Sequence, residues 1–404
     1  MDFEVLIMGS DANAYYMARC YHEAYGKKAH LIGAFPLAFT KYSSILTIEY
    51  NQDIWNEAGF LSVLKEYKQK HQDKKILLIS SNETYAEFIS KNREELKKDF
   101  YFNYPSIDII KSLTTKETFY ETYKKSILEF PKTIYYDCKK NEEIKFDFTY
   151  PIILKPSNVV SYNHIDFEGK KKIYKIENEK ELNKVIKKIK ESNYEDILII
   201  QEFIPGDDSH LFDAVVYADR NKKVKLVSFA QIGLQEHAGK MVGNAAVLMN
   251  GYNSFDGNVK DMTQKIKTFM ESIGYMGFAE FDMKYDERDK TFKVLEINAR
   301  QGRCSYYISA AGFNLVKIMA DDLIYKKDIP YHEINEDVLL SFVPKKIAKK
   351  YIKNEQFKLD ALSKWTKHVN PLKYKKDKSF LRKILYLKLR KKYINDYEHG
   401  YWKE

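Results

Sequence analysis

The sequence predicts an α/β parallel domain, then a largely antiparallel α+β region, then a basic helical tail. Three observations carry that fold class. The first 110 residues alternate between short apolar runs and segments of helical period, the pattern of βαβ units and a parallel sheet. From Ile197 onward the apolar runs are strand-length and separated by short turns. Charge is segregated: the chain carries a net +10, yet Lys345 to Glu404 hold 19 Lys and Arg against 6 Asp and Glu, so residues 1–344 are slightly acidic.

A length of 404 residues exceeds a single core, and 44% hydrophobic content excludes wholesale disorder. Two or three lobes are expected. Cys20, Cys138 and Cys304 lie too far apart in sequence for a disulfide framework, which fits a reducing compartment and predicts a cytoplasmic protein. No run of 18 apolar residues predicts a membrane span, and Phe3–Met8 directly after Asp2 does not read as a secretion signal. Attachment to the inner face of a membrane stays open.

In order, Phe3–Met8 reads as a buried strand, Asn13–Tyr25 as a helix stopped by Gly26, and His30–Phe35 and Ile45–Tyr50 as strands. Asn56–His71 reads as a helix and Ile76–Ser81 as a strand. The first turn, Gly9 to Ala14, is not GxGxxG, so dinucleotide binding is poorly supported, although Asp11 or Asn13 can still face a substrate. A helix near Thr115 then precedes strands at Pro131–Asp137 and Tyr150–Lys155. Ser157–Lys172 lacks periodicity and is expected to be a mobile loop. A strand at Ile173–Ile176 and an Asn-capped helix at Asn178–Lys190 follow. Beyond them come strands Ile197–Phe203, Leu211–Ala218 and Val224–Ile232, a helix over Asp256–Ile273, and a hairpin of Gly277–Asp286 with Thr291–Ala299. Domains are accordingly expected at 1–114, 115–192, 193–344 and 345–404.

The hairpin carries the chemistry. Strand alternation puts Glu296, Asn298 and Arg300 on one face, with Leu295, Ile297 and Ala299 expected in a core, and Asp282 of the partner strand can join the first set. Two carboxylates and an amide oxygen suit Mg²⁺ when phosphates complete its shell. A solvated sheet face alternates in the same way, but Arg300 and Arg303 follow at once and can grip phosphate. Upstream, Lys155 ends an apolar strand and precedes Pro156, so its ammonium belongs at the mouth of a sheet. The run Gln201-Glu202-Phe203-Ile204-Pro205-Gly206-Asp207-Asp208 ends a buried strand at Pro-Gly, leaving backbone groups for a flat heterocycle and acids for a ribose.

The order of Lys116, Lys155-Pro156, a polar loop, this hinge, Asp282 and Glu296-x-Asn298-x-Arg300 resembles the ATP-grasp superfamily. The resemblance implies an ATP-grasp fold behind a Rossmann-like N-terminal domain. It also implies that Lys116 and Lys155 contact ATP phosphates, that Gln201, Glu202, Phe203 and Ile204 read adenine, and that Asp208 takes the ribose. Asp282, Glu296 and Asn298 would hold Mg²⁺, with Arg300 on the transferred phosphoryl group. The activity implied is ATP-dependent joining of a carboxylate to an amine.

Three segments, LIMGSDANAYYMARCYHEAYG running on into GKKAHLIG, LLISSNETYAEFIS and HAGKMVGNAA, are similar to the bacterial D-aspartate ligase family. That likeness implies D-aspartate as acid and the lysine ε-amine of a nucleotide- or lipid-linked peptidoglycan precursor as acceptor. Lys240 with Arg300 or Arg303 would bind the amino acid's carboxylates, beside Gly243 and Asn244. His164 and His237 are further candidates for taking the amine's proton. Another amino acid or peptide substrate, or a noncatalytic ATP- or membrane-binding protein, remains as an alternative. Nucleic acid is not an expected partner, because base-stacking and groove-reading motifs are absent.

The tail from Ser379 to Ile394 reads as a basic amphipathic helix. It either rests on anionic lipid or an anionic precursor, or packs on the core through Phe380 and Leu381.

Overall fold

The computed structural model describes residues 3–140, 142–157, 159–237 and 242–400, without the side chains of residues 116, 159, 160 and 163. The first body comprises β1 (Phe3–Met8), α1 (Ala12–Tyr25), β2 (Ala29–Gly33), β3 (Leu46–Tyr50), α2 (Glu57–Lys70), β4 (Lys75–Ser80), α3 (Glu83–Lys91), α4 (Arg93–Leu96), β5 (Phe100–Tyr101) and α5 (Ile107–Thr114). Its five strands are parallel in the order β3-β2-β1-β4-β5. Strand alternation sorts the layers: Val5, Ile7, Leu77 and Ile79 join the cluster on the α1 side, while Leu6, Met8, Ile76 and Leu78 join Phe60 and Leu64 of α2. α1 begins because the Asp11 side chain accepts from the Ala14 N–H, and it ends because Gly26 adopts a left-handed φ of 68°. The chain changes direction across the sheet between β1 and β4. Their following loops therefore lie side by side at the ligand-binding edge, where Ser81 Oγ donates to Asp11 at 3.1 Å.

The second body contains α6 (Lys116–Tyr123), β6 (Thr133–Asp137), β7 (Ile152–Pro156), α7 (Val159–His164), β8 (Tyr174–Ile176), α8 (Glu179–Glu191) and β9 (Ile197–Glu202). Its antiparallel sheet runs β6-β9-β7-β8 and buries Ile152, Leu154, Leu198 and Ile200 against Leu182, Ile186 and Ile189 of α8. Ser157–Lys172 is not a bare loop, because α7 lies within it. Tyr162 is buried there, and its hydroxyl donates to Lys171 O at 3.0 Å.

The third body contains β10 (Leu211–Ala218), β11 (Val224–Ser228), β12 (Ala230–Gln235), β13 (Ala245–Asn250), α9 (Val259–Ser272), β14 (Gly277–Asp286), β15 (Thr291–Asn298), α10 (Tyr306–Ala310), α11 (Leu315–Leu323), β16 (His332–Ile334) and β17 (Val338–Ser341). The sheet order is β15-β14-β10-β12-β13-β17, with β11 bridging β10 and β16. The stretch expected as one strand over Val224–Ile232 is two, because β10 pairs with both parts and β11 turns aside to pair with β16.

The tail forms α12 (Lys345–Tyr351), α13 (Glu355–Ser363) and α14 (Phe380–His399). It packs on the large sheet in one cluster of Leu234, Val247 and Met249 with Ile347, Phe357, Trp365, Tyr393 and Tyr397. Gly233 is required on β12, since a Cβ there would come within 2.0 Å of the Phe357 ring. The packing face of α14 is not the expected one. Phe380 and Leu381 are 73% and 51% exposed, whereas Arg382, Tyr393 and Tyr397 are buried. Among the described residues no helix is long and apolar enough to cross a membrane.

Candidate active site

The hairpin β14–β15 pairs Asp282 with Glu296 and Glu280 with Asn298, so all four side chains share one face. On the other flank β10 sets Asp213 opposite Asp282. Asn298 Nδ2 donates to Asp282 Oδ2 at 3.1 Å and to Glu280 Oε2 at 3.4 Å, and Tyr307 donates to Asp213 Oδ1 at 2.8 Å. Burial, then repulsion from Glu280 and Glu296, raises the Asp282 carboxyl well above its ordinary range. Burial and Asp213 do the same to Glu280. Arg300 Nη1, 3.8 Å from Glu280, offsets part of this negative charge.

Among the described residues no three His, Cys, Asp or Glu groups converge as a ready-made metal site. Two carboxylates and an amide on one strand pair, in a pocket of excess negative charge, nevertheless form a hard-oxygen set suited to Mg²⁺ with phosphate oxygens completing the shell. A bulge after Asp282 shifts the register, and Leu295, expected in a core, is half-buried and lines a cleft.

That cleft, about 560 Å³, opens between the four-stranded and eight-stranded sheets. Lys155, Gln201, Glu202, Phe203, Ile204 and Asp208 all line it. Lys155 Nζ donates to Gln201 Oε1 at 3.1 Å, and Gln201 Nε2 donates to Thr133 Oγ1 at 2.8 Å, so the lysine is aimed by a buried amide. The Glu202 carboxylate accepts from Lys132 N–H at 2.9 Å and lies 3.1 Å from Arg288, an arrangement that holds the strand end in place. The ammonium groups of Lys175 and Lys284 approach the Phe203 ring, at 5.0 and 5.3 Å from its centroid. Asp208 accepts from Gln235 N–H at 2.8 Å and sits 2.9 Å from His237 Nε2.

The carboxylate face abuts the edge of the parallel sheet. Gln301 Nε2 donates to Ser80 O at 2.6 Å, Tyr16 donates to Gly302 O at 2.6 Å, and Asn13 Nδ2 donates to Gln301 O at 3.4 Å. Arg300 stands in this seam, with Nη2 3.4 Å from Glu83 Oε1 and a buried Nε that has no hydrogen-bond partner. A fixed cation therefore lies where the eight-stranded sheet and the parallel-sheet body meet.

No protein-family model matches the chain. Over 398 residues, covering 95% of this chain and 93% of the other, it is 35% identical to D-aspartate ligase of Enterococcus faecium (strain Aus0004). The chain belongs to the D-aspartate ligase family. It is an ATP-dependent carboxylate-amine ligase of ATP-grasp fold. The fold is shared with the L-amino acid ligase of Bacillus licheniformis, at a TM-score of 0.56 and 16% identity over 80% of this chain and 74% of that one. It is also shared with the ADP complex of N5-carboxyaminoimidazole synthetase from Staphylococcus aureus, at 0.57 and 14% over 88% and 87%.

Two candidates in this D-aspartate ligase family member lie outside what the structure describes: Lys240, and the side chain of Lys116. Arg303 points elsewhere than the sequence suggested. It is buried, ion-paired with Glu236 at 2.6 Å, bonded to Tyr393 at 2.8 Å and stacked 4.1 Å over Phe342, so it fastens the tail. Gly243 and Asn244 close the β12–β13 connection through bonds with Glu236, and His164 is exposed. Sequence reasoning missed Glu280, Asp213, Glu83 and Lys284. Glu280 had a signal, since it lies two residues before Asp282 and so on the same face. Asp213, 69 residues before Asp282, had none. Lys284 lines the cleft and donates to Gly206 O at 3.0 Å, and burial lowers its pKa to about 8.

Proposed function

We propose that this ligase uses ATP to activate the β-carboxylate of D-aspartate and joins it to the ε-amine of a lysine in a peptidoglycan precursor. The observation that carries the reading is the 35% identity, spread over 95% of the chain, to a protein named D-aspartate ligase. The carboxylate oxygen attacks the γ-phosphorus, the bond to the β–γ bridging oxygen breaks, and ADP leaves. The amine nitrogen then attacks the acyl carbon, the carbon–oxygen bond to phosphate breaks, and inorganic phosphate departs while the amine loses a proton.

Lys155 would meet the phosphates, the Gln201–Ile204 backbone the adenine edge, and Asp208 the ribose. Asp282, Glu296 and Asn298 would hold Mg²⁺, which neutralises charge on the transferred phosphoryl group. Arg300 supports the step from the seam, where a preorganised cation stabilises oxygens that gain charge in the transition state. Lys116 and Lys240 would complete the phosphate and amino-acid contacts.

The test is ADP release with hydroxylamine standing in for the acceptor amine, using D-aspartate, L-aspartate, D-asparagine and D-glutamate. Hydroxamate is expected from D-aspartate above the others. Turnover confined to a different acid would overturn the substrate assignment. Glu296→Gln should lower kcat by about a thousandfold or more in a folded protein, as for other groups that act at the developing charge. Circular dichroism and activity together check this.

A further inference from the structure

A second cavity, of about 630 Å³, lies between the first half of α14 and the segment from Trp365 to Asp377. It shares no lining residue with the nucleotide cleft. Its walls are strongly cationic, with Lys345, Lys373, Lys375, Arg382, Lys383 and Arg390 contributing. The acid among its lining residues, Asp377, already accepts from Tyr15 at 3.0 Å, Ser43 Oγ at 2.8 Å and Ser44 N–H at 2.9 Å.

Arg382 is the decisive group. It is 3% exposed, its guanidinium lies 4.2 Å over the Tyr15 ring, and Nη2 donates to Leu372 O at 3.2 Å. Its Nε and Nη1 are buried with no hydrogen-bond partner. Unpaired donors on a buried cation are costly, so their retention at a cavity wall points to an anion that completes them. A guanidinium presents its donors as a planar fork that matches phosphate oxygens. Six cations around one cavity call for more charge than one carboxylate supplies. The volume exceeds that of a phosphate and suits a nucleotide-sized ligand, and the aromatic side chains of Trp365 and Tyr386 line it.

We propose that this cavity holds the diphosphate of the acceptor, with the group esterified to it lying against Trp365 and Tyr386. The inference rests on the acceptor reading above and adds where that acceptor is gripped. The same helix links the cavity to the nucleotide cleft: farther along α14, Tyr397 donates to Gln235 O at 2.6 Å, and the Gln235 N–H donates to Asp208.

The test is isothermal titration of the full chain, saturated with MgADP so that the nucleotide cleft is filled. The probes are inorganic pyrophosphate, UDP, farnesyl diphosphate and uridine. Pyrophosphate and at least one diphosphate ester should bind one to one, with an affinity that falls steeply with salt, and uridine should not bind. Tighter UDP assigns a nucleotide-linked acceptor, and tighter farnesyl diphosphate a lipid-linked one. Arg382→Met should abolish binding. Because that residue is buried, the exposed pair Lys383→Glu with Arg390→Glu provides the second reading, expected to weaken binding at least tenfold in a folded protein.

No saturable heat with any diphosphate, or binding undiminished by the charge reversals, overturns the proposal. So does association only with vesicles of phosphatidylglycerol, which would make α14 a membrane-surface element. Hydroxamate formation from D-aspartate needs no acceptor, so the two readings fail separately. An active enzyme that binds no diphosphate sinks the cavity alone, and a diphosphate binder inactive with D-aspartate sinks the substrate alone.

Discussion

Gly302 shows how little room the candidate site leaves. A Cβ at that position would lie 1.5 Å from Glu280 Oε1, so the missing side chain is what allows the glutamate to stand beside Asp213 and Asn298. Gly302→Ala should displace that carboxylate, lowering kcat at least tenfold and costing about 1–3 kcal/mol of stability, within the usual range for overpacking. In a Glu280→Ala background the same change should add almost no further cost, which urea denaturation of the four proteins would check. Nothing local in the sequence marks Gly302 as special, because the atom it avoids belongs to a strand 22 positions earlier. His210 offers a pH test at the same scale. Burial alone would lower its pKa, but Glu287 at 2.7 Å and Asp207 at 3.4 Å outweigh burial and raise it above 6.5. A raised folded-state value means its stabilisation is complete below about pH 6.5 and fades as pH climbs through the higher value. His210→Gln should therefore cost more at pH 6 than at pH 9, measured by denaturation at both.

Elements with a clear period were legible, and those defined by their neighbours were not. The β1 and β4 runs, the Asn178 cap and the β14–β15 hairpin follow from alternation and capping. The two-residue β5 and the break between β11 and β12 depend on pairing partners far along the chain. α14 is the instructive case, because its cations conceal a stripe of Arg382, Tyr386, Tyr393 and Tyr397 at spacings of four, seven and four, while Phe380 and Leu381 face outward. Within this stripe Tyr393 meets Arg303 of the body. If Arg303 fastens the tail, Arg303→Met leaves Glu236, whose side chain is 5% exposed, as an unpaired buried acid. A loss of about 3–5 kcal/mol is expected, partly recovered by adding Glu236→Gln. Tyr393→Phe should cost roughly 1 kcal/mol. A fully stable but inactive Arg303→Met protein would return that residue to the chemistry.

At the scale of the molecule, the sequence showed where the character of the chain changes but not how its cores join. Val5, Ile7 and Tyr15 belong to the same buried cluster as Leu226, Tyr307 and Leu315, so the parallel sheet and the eight-stranded sheet share one core across α1, α10 and α11. The four-stranded sheet has its own cluster around Ile152, Leu154 and Ile200. Bodies that share a core open together, and a body with a separate one opens on its own. In native-state hydrogen exchange, amides of β1 and β10 should therefore report the same opening free energy, and those of β7 and β9 a lower one. Nucleotide in the cleft would contact residues from both antiparallel lobes, since Lys155 and Gln201 come from one and Asp208 and Lys284 from the other. MgADP should accordingly raise protection in β7 and β9 more than in β1, by an amount that follows its concentration over Kd. Equal protection throughout the chain without nucleotide would show that the small lobe does not open on its own.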